Sequence, residues 1–212
     1  MLRLRAARVG VHPRRPRPCG DAPHGLNAVV ESALTDPDDC SALSEAYRRS
    51  RYRIEVVALA TPEVFSQLGI IDRFLTEASV GAGGRFVTWA NHDSCAKNMF
   101  TTLAVIEAEQ LADRVTVVSR DGTVLYDNEL VNGAWRRRPA AGKAVARGRS
   151  RTWTARETAV FQQEIARAEV GVHRDVQGED ERLAVLIDGA QHTRRRWRGL
   201  VTARHKALRT SP

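Results

Sequence analysis

Apolar and polar positions along this chain alternate between two periods, and their order predicts a layered α/β domain. Leu26-Asn27-Ala28-Val29-Val30 reads as a short buried strand that ends at Glu31. Residues Thr35 to Asp39 follow as a loop with capping residues, and Ser41 to Ser50 as a short helix with Glu45, Arg48 and Arg49 on its polar face. Arg53 to Ala60 is dense in β-branched residues and predicts a strand. Thr61-Pro62-Glu63 opens a helix, with threonine as N-cap and proline at the first helical position. That helix extends to about Ser79 and carries Val64, Leu68, Ile71 and Leu75 on one face.

Gly81-Ala82-Gly83-Gly84 is a flexible break, after which Asn91 or Asp93 caps a helix running to about Leu111. Arg114 to Val118 is a buried strand, Asp121-Gly122 a turn, and Thr123 to Tyr126 the return of a hairpin. Residues 131–150 are weakly patterned. Thr154-Ala155-Arg156-Glu157 has the form of a capping box and opens a helix to about Val170; a last helical stretch is expected from about Glu179 to Trp197.

Strands separated by helices predict an α/β fold, a parallel sheet flanked by helices with right-handed crossovers, whose ligands sit at the carboxyl ends of the strands. Pro13, Pro16, Pro18 and Pro23 interrupt an arginine-rich stretch, so residues 1–25 are expected to be a disordered basic segment. The domain is expected over 26–172, with a helical extension and basic tail over 173–212.

Composition changes this picture little. Hydrophobic residues make up 42% and charged residues 27%, a globular balance that needs no membrane. No apolar run approaches the roughly 18 residues of a membrane helix. Cys19, Cys40 and Cys95 fit neither a disulfide framework nor a paired metal spacing, which favours a cytoplasmic location.

The net charge of +8 raises the question of nucleic acid, and its location answers it. Residues 1–25 hold +5 and residues 190–212 hold +7, which leaves −4 for everything between. A face built for a phosphate backbone places its charge on the fold itself. Solvated tails are therefore the preferred reading, and nucleic acid is not an expected partner.

Four residues stand where chemistry would be expected. Glu31 follows an apolar strand, where a carboxylate could accept hydrogen bonds from a ligand; the residue alone reads first as an ordinary acid opening a loop. Arg73 and Arg85 flank the glycine-rich break, and two guanidiniums near a movable loop suit phosphate recognition, although both also fit a solvated surface. His92, beside Asp93 at a helix start, is a possible ligand contact or a packing residue. No His/Cys/Asp/Glu spacing suits zinc.

Several blocks together resemble the zeta toxin family. They are Leu26 to Leu34; the strand ending Val56-Val57-Ala58-Leu59-Ala60; Ser66 to Phe74; Gly84 to Asp93; Ala108 to Val115; and Asp121 to Leu130. Their order and spacing carry the match, over about residues 26–170. The resemblance implies a P-loop kinase that transfers the γ-phosphate of ATP, with Mg²⁺, to the 3′-hydroxyl of the amino sugar in UDP-N-acetylglucosamine, often restrained by a small antitoxin. It implies Glu31 as the carboxylate at the substrate sugar, and Arg73 and Arg85 as the paired arginines over the ATP phosphates. The hydroxyl position beside that carboxylate falls on Ala33, which loses a polar contact.

The front of such a kinase is missing. A Walker A loop reads G-x-x-x-x-G-K-[ST], yet the first lysine here is Lys97. The family's catalytic aspartate precedes the Glu31 strand, where the only acid is Asp21. The expected fold is thus a partial P-loop kinase lacking its first strand, P-loop and first helix. Phosphoryl transfer rests on those parts, so the chain is expected to be inactive or impaired. The alternatives are a sugar-nucleotide-binding protein without catalysis, a remnant, or nucleic-acid association through the tails. A shifted or truncated reading frame would explain residues 1–25.

Overall fold

The computed structural model describes residues 2–4, 28–79 and 87–175. Six strands and five helices follow one another as β1 (Leu2–Leu4), β2 (Val29–Val30), α1 (Pro37–Arg49), β3 (Ile54–Leu59), α2 (Glu63–Ser79), α3 (Trp89–Ala108), β4 (Arg114–Val118), β5 (Val124–Val131), β6 (Ala134–Trp135), α4 (Ala141–Ser150) and α5 (Ala155–Asp175). They fall into two compact units, Met1–Thr61 with Asp93–Ser150, and Pro62–His92 with Arg151–Pro212. The flexible break at Gly81–Gly84 and the helix expected at 179–197 lie outside the described residues.

The first unit is built on a sheet of order β2-β1-β3-β4-β5-β6. The expected parallel crossover is present: β3 and β4 pair in parallel, Glu55 against Arg114 through Leu59 against Val118. The other pairings are antiparallel. The centre differs from expectation. Leu2–Leu4, in a segment with no strand period, forms β1 and lies between β2 and β3. Its pairing comes from residues more than 20 positions away in sequence, which local patterning cannot report.

Period-two alternation then sorts the residues. Ile54, Val56, Ala58, Val115, Val117 and Tyr126 are buried on one face and join Leu103 and Ile106 of α3, Leu34, and Ala141, Ala144 and Val145 of α4 in one core. On the opposite face Arg114 is bound in a fork by Asp127, at 2.7 and 2.9 Å, and Arg53 reaches Glu55 at 2.9 Å and Glu129 at 2.8 Å.

Three local readings are corrected. The segment expected as a loop before α1 is its start: Asp36 caps the helix by accepting from Asp38 N at 2.9 Å, and Pro37 takes the first position, where a missing N–H costs nothing. The cap of α3 is Thr88 rather than Asn91 or Asp93, since Thr88 Oγ1 accepts from Asn91 N at 3.3 Å. The weakly patterned stretch 131–150 holds a second hairpin and α4. Asn132 and Gly133, at φ 51° and 76°, form that hairpin's turn.

The second unit centres on α2 and α5, joined by Val64, Leu68, Ile71, Phe161, Ile165 and Ala168. Phe161 meets Phe65 and Trp153 edge to face, and those two rings are tilted at 45° to each other, with centroids 4.6 to 5.3 Å apart. The capping box forms in both directions. Thr154 Oγ1 accepts from Glu157 N at 3.1 Å, and Glu157 accepts from Thr154 N at 2.7 Å.

Candidate functional site

Strands β2, β3 and β4 run in one direction, because β1 is antiparallel to both of its neighbours. Their carboxyl ends form one edge, at Glu31, Ala60 and Ser119. Glu31 leaves β2 at that edge and is exposed, with no hydrogen bond or ion pair among the described residues.

A short tight turn holds Glu31 there. Ser32 Oγ accepts from Leu34 N at 3.1 Å, and Leu34 takes a left-handed backbone, φ 53°, while its side chain is fully buried. A non-glycine residue in that region costs about 1 kcal/mol or more, and the buried leucine offsets it. Glu31, Ser32 and Ala33 are thereby fixed as an exposed tip. At Ala33 the structure offers a methyl group where the family pattern has a hydroxyl.

The β4–β5 turn at the same edge is committed to itself. Asp121 accepts from the Ser119 hydroxyl and from Thr123 N, and these bonds, led by that from Ser119, hold its carboxyl down at about 2. Asp121 therefore stays ionised and belongs to the turn.

The second unit carries the other expected residues. Arg73 is exposed on α2, without an ion pair among the described residues. Arg85 lies outside the described residues. His92 is buried, 8% exposed, with its N–H on Thr88 O at 2.9 Å. A start at Trp89 turns His92 inward, which favours packing over ligand contact. Glu31 sits in one unit while Arg73 and His92 sit in the other, and each is placed by its own unit alone.

Sequence reading missed a buried polar cluster in the first unit. Glu107, 4% exposed, accepts from Tyr126 Oη at 2.6 Å, Ala140 N at 3.2 Å and Ala141 N at 2.9 Å. Burial and the bond to Glu107 push the Tyr126 hydroxyl up to about 12. Asn128 accepts from Arg137 N at 3.0 Å and donates to Arg137 O at 2.9 Å. The cluster bolts the start of α4 to β5 and α3, a structural role. An acid within the apolar stretch Leu103–Ala108 was its only trace in the sequence.

The chain has no G-x-x-x-x-G-K-[ST], and no three His, Cys, Asp or Glu side chains among the described residues could share a metal ion. No helix of the described residues is long and apolar enough to cross a membrane.

Residues 22–131, just over half of the chain, match the family model described as zeta toxin. No curated protein matches. Among solved structures, one from the PezAT chromosomal toxin–antitoxin system of Streptococcus pneumoniae is similar, with a TM-score of 0.58 and 16% identity. The likeness covers 69% of this chain and 56% of that one, so this chain spans little more than half of its length. At that identity the likeness concerns the fold.

Proposed function

The chain belongs to the zeta toxin family, and from that premise we propose that it is a kinase-type toxin domain whose sugar-nucleotide half persists without a working phosphate half. The ligand is UDP-N-acetylglucosamine or a similar sugar nucleotide. Glu31 is the carboxylate that accepts from a sugar hydroxyl, and a small antitoxin is the partner protein. The observation that carries the reading is the anchored Glu31 tip, exposed and unpaired among the described residues at the carboxyl edge of the sheet.

Phosphoryl transfer itself is not expected. Positioning and charge neutralisation around the γ-phosphate supply most of that rate, and this chain lacks the loop and lysine that provide them. Arg73 keeps its place as a phosphate contact in the proposal; alone it supplies charge without alignment.

Two measurements test the proposal. Titration calorimetry with UDP-N-acetylglucosamine should show binding by the wild type, weakened roughly tenfold or more in Glu31→Ala, as expected for a hydrogen bond to a charged group. Absent binding, or equal binding by both, removes the sugar-nucleotide reading. Incubation with ATP, Mg²⁺ and the sugar nucleotide should give no phosphorylated product, and sustained turnover by pure protein would refute the incomplete-site claim.

A further inference from the structure

The mild acidity of the chain between its tails is an average that hides a basic region. From Leu130 to Arg156 there are eight basic residues and no acid. The structure sorts them. Arg136 is paired with Glu129 at 3.6 Å, and Arg151 with Glu157. Arg149 is folded back, donating to Ala96 O at 2.9 Å with its guanidinium 5.1 Å from the Phe100 ring centre. Arg137, Arg138, Lys143 and Arg147 are exposed, and none makes an ion pair among the described residues.

Their placement follows from the packing of α4. That helix buries Ala141, Ala144, Val145 and Gly148 against the sheet. Lys143 and Arg147, four residues apart, then share its outer face, about 6 Å apart along the axis. Arg137 and Arg138 stand just before the helix. Asn128 holds the Arg137 backbone through both its N–H and C=O, and Glu107 holds the N–H groups of Ala140 and Ala141. The backbone from 137 to 141 is therefore held before any ligand arrives, with the exposed Arg137 and Arg138 before the helix and Lys143 and Arg147 on it forming the basic row. Asp127 reaches Arg137 electrostatically but is already bound by Arg114 in a fork. The row keeps its field.

We propose that the outer face of α4, with the turn before it, is a binding surface for the phosphate backbone of a nucleic acid. The charge sits on the fold itself, the placement that separates such a face from solvated tails. α4 itself carries no aromatic and no large exposed apolar side chain, and the neighbouring rings, Phe100 beneath Arg149 and Trp135 before the turn, are half-buried. Base stacking and a desolvated protein hot spot both need such groups, so contact with phosphates, independent of sequence, is the recognition that fits. This surface uses other residues than the Glu31 tip, so the proposal survives failure of the sugar-nucleotide reading.

The test uses the full chain and a fluorescein-labelled 20-base-pair DNA duplex, followed by anisotropy from 50 to 200 mM salt. The combined variant Arg138→Glu/Lys143→Glu/Arg147→Glu should bind at least tenfold more weakly at 50 mM. Its salt slope should be smaller by roughly 2.7, at about 0.9 for each phosphate that is no longer neutralised. The combined Gln variant at the same positions should show a similar fall in slope, which separates missing neutralisation from repulsion, and circular dichroism should show wild-type folding for both. A second variant, Arg194→Glu/Arg195→Glu/Arg196→Glu, isolates the tail and should keep most of the binding. Wild-type binding by the α4 variants, or its abolition by the tail variant alone, overturns the proposal. So does capture of polyglutamate through α4 with no binding of the duplex, which would assign the face to an acidic protein.

Discussion

Gly148 and Gly142 lie six residues apart on α4, and the same substitution should act on them with opposite sign. A β-carbon at Gly148 would fall 2.6 Å from Ala60 Cβ and 2.6 Å from Leu125 Cδ1. Carbon atoms rest at about 3.5–4.0 Å, so both approaches are too short by about 1 Å. The leucine tip can rotate away. Ala60 cannot, because its β-carbon is fixed to a buried backbone whose N–H is bonded to Val118 O at 2.8 Å. Relief therefore requires α4 to lift from the end of β3. Overpacking of this kind costs about 1–3 kcal/mol, against a helix-propensity gain of about 1 kcal/mol for Gly→Ala. With a rigid neighbour the clash wins, and Gly148→Ala should destabilise by roughly 1–2 kcal/mol.

At Gly142 the new methyl would meet only Phe100, at 3.8 and 3.9 Å, an ordinary van der Waals separation. Gly142→Ala should therefore stabilise by about 0.5–1 kcal/mol. Urea unfolding followed by ellipticity gives the two shifts in midpoint, and hydrogen exchange in peptides from 141–150 locates them in the first unit. A Gly148→Ala protein as stable as Gly142→Ala would refute the close approach of α4 to the sheet.

Further outcomes follow from the buried and ionised groups. Glu107→Ala should cost about 2–4 kcal/mol in the same unfolding assay, because three donors lose their acceptor while the burial of a carboxylate without an ion pair ends; loss below 1 kcal/mol would show that water replaces it freely. The Arg151 guanidinium, first among the causes, holds the Glu157 carboxyl at about 2 against an ordinary 4.5. A depressed carboxyl contributes stability above its ordinary pKa and loses it as pH falls toward 2, so Glu157→Gln should flatten the acid unfolding curve there. The effect is on the order of 1 kcal/mol, since the pair is partly exposed and screened. Burial, helped by Asp39 and Asp36, pushes the Cys40 thiol up to about 11. Iodoacetamide at pH 8 should therefore label it about 100-fold more slowly in the native protein than in urea, read by peptide mass.

What could be read in the sequence was the part whose cause is local or periodic. β3 and β4 announce themselves through alternating β-branched residues, and the Thr154–Glu157 box through its own side chains. α4 was silent because three of its four buried positions are Ala141, Ala144 and Gly148. A helix that packs closely through small residues shows no hydrophobic stripe. The β5–β6 hairpin did have a signal, Asn132-Gly133, in a stretch that otherwise looked featureless. β1 had none, because three residues are strand only by virtue of distant partners. The place of Glu31 at the end of a strand was legible from the apolar run before it, whereas Arg73 was singled out mainly through the family resemblance. His92 was read as a ligand contact or a packing residue, and its burial agrees with packing.

The sheet centre shows what supports the Glu31 tip. β1 pairs with Ile54, Glu55 and Val56 only, so among the described residues Val57, Ala58 and Leu59 have strand partners on the β4 side alone. Those three lead to the carboxyl edge. The lack is greatest at that end: Leu59 is 42% exposed, whereas Ala58 is sealed from the other face by the helices. Glu31, by contrast, depends on β2, on the Ser32 turn and on the buried Leu34, all of which are complete. The short β1 therefore suffices to hold β2, and with it the Glu31 tip, in register with β3.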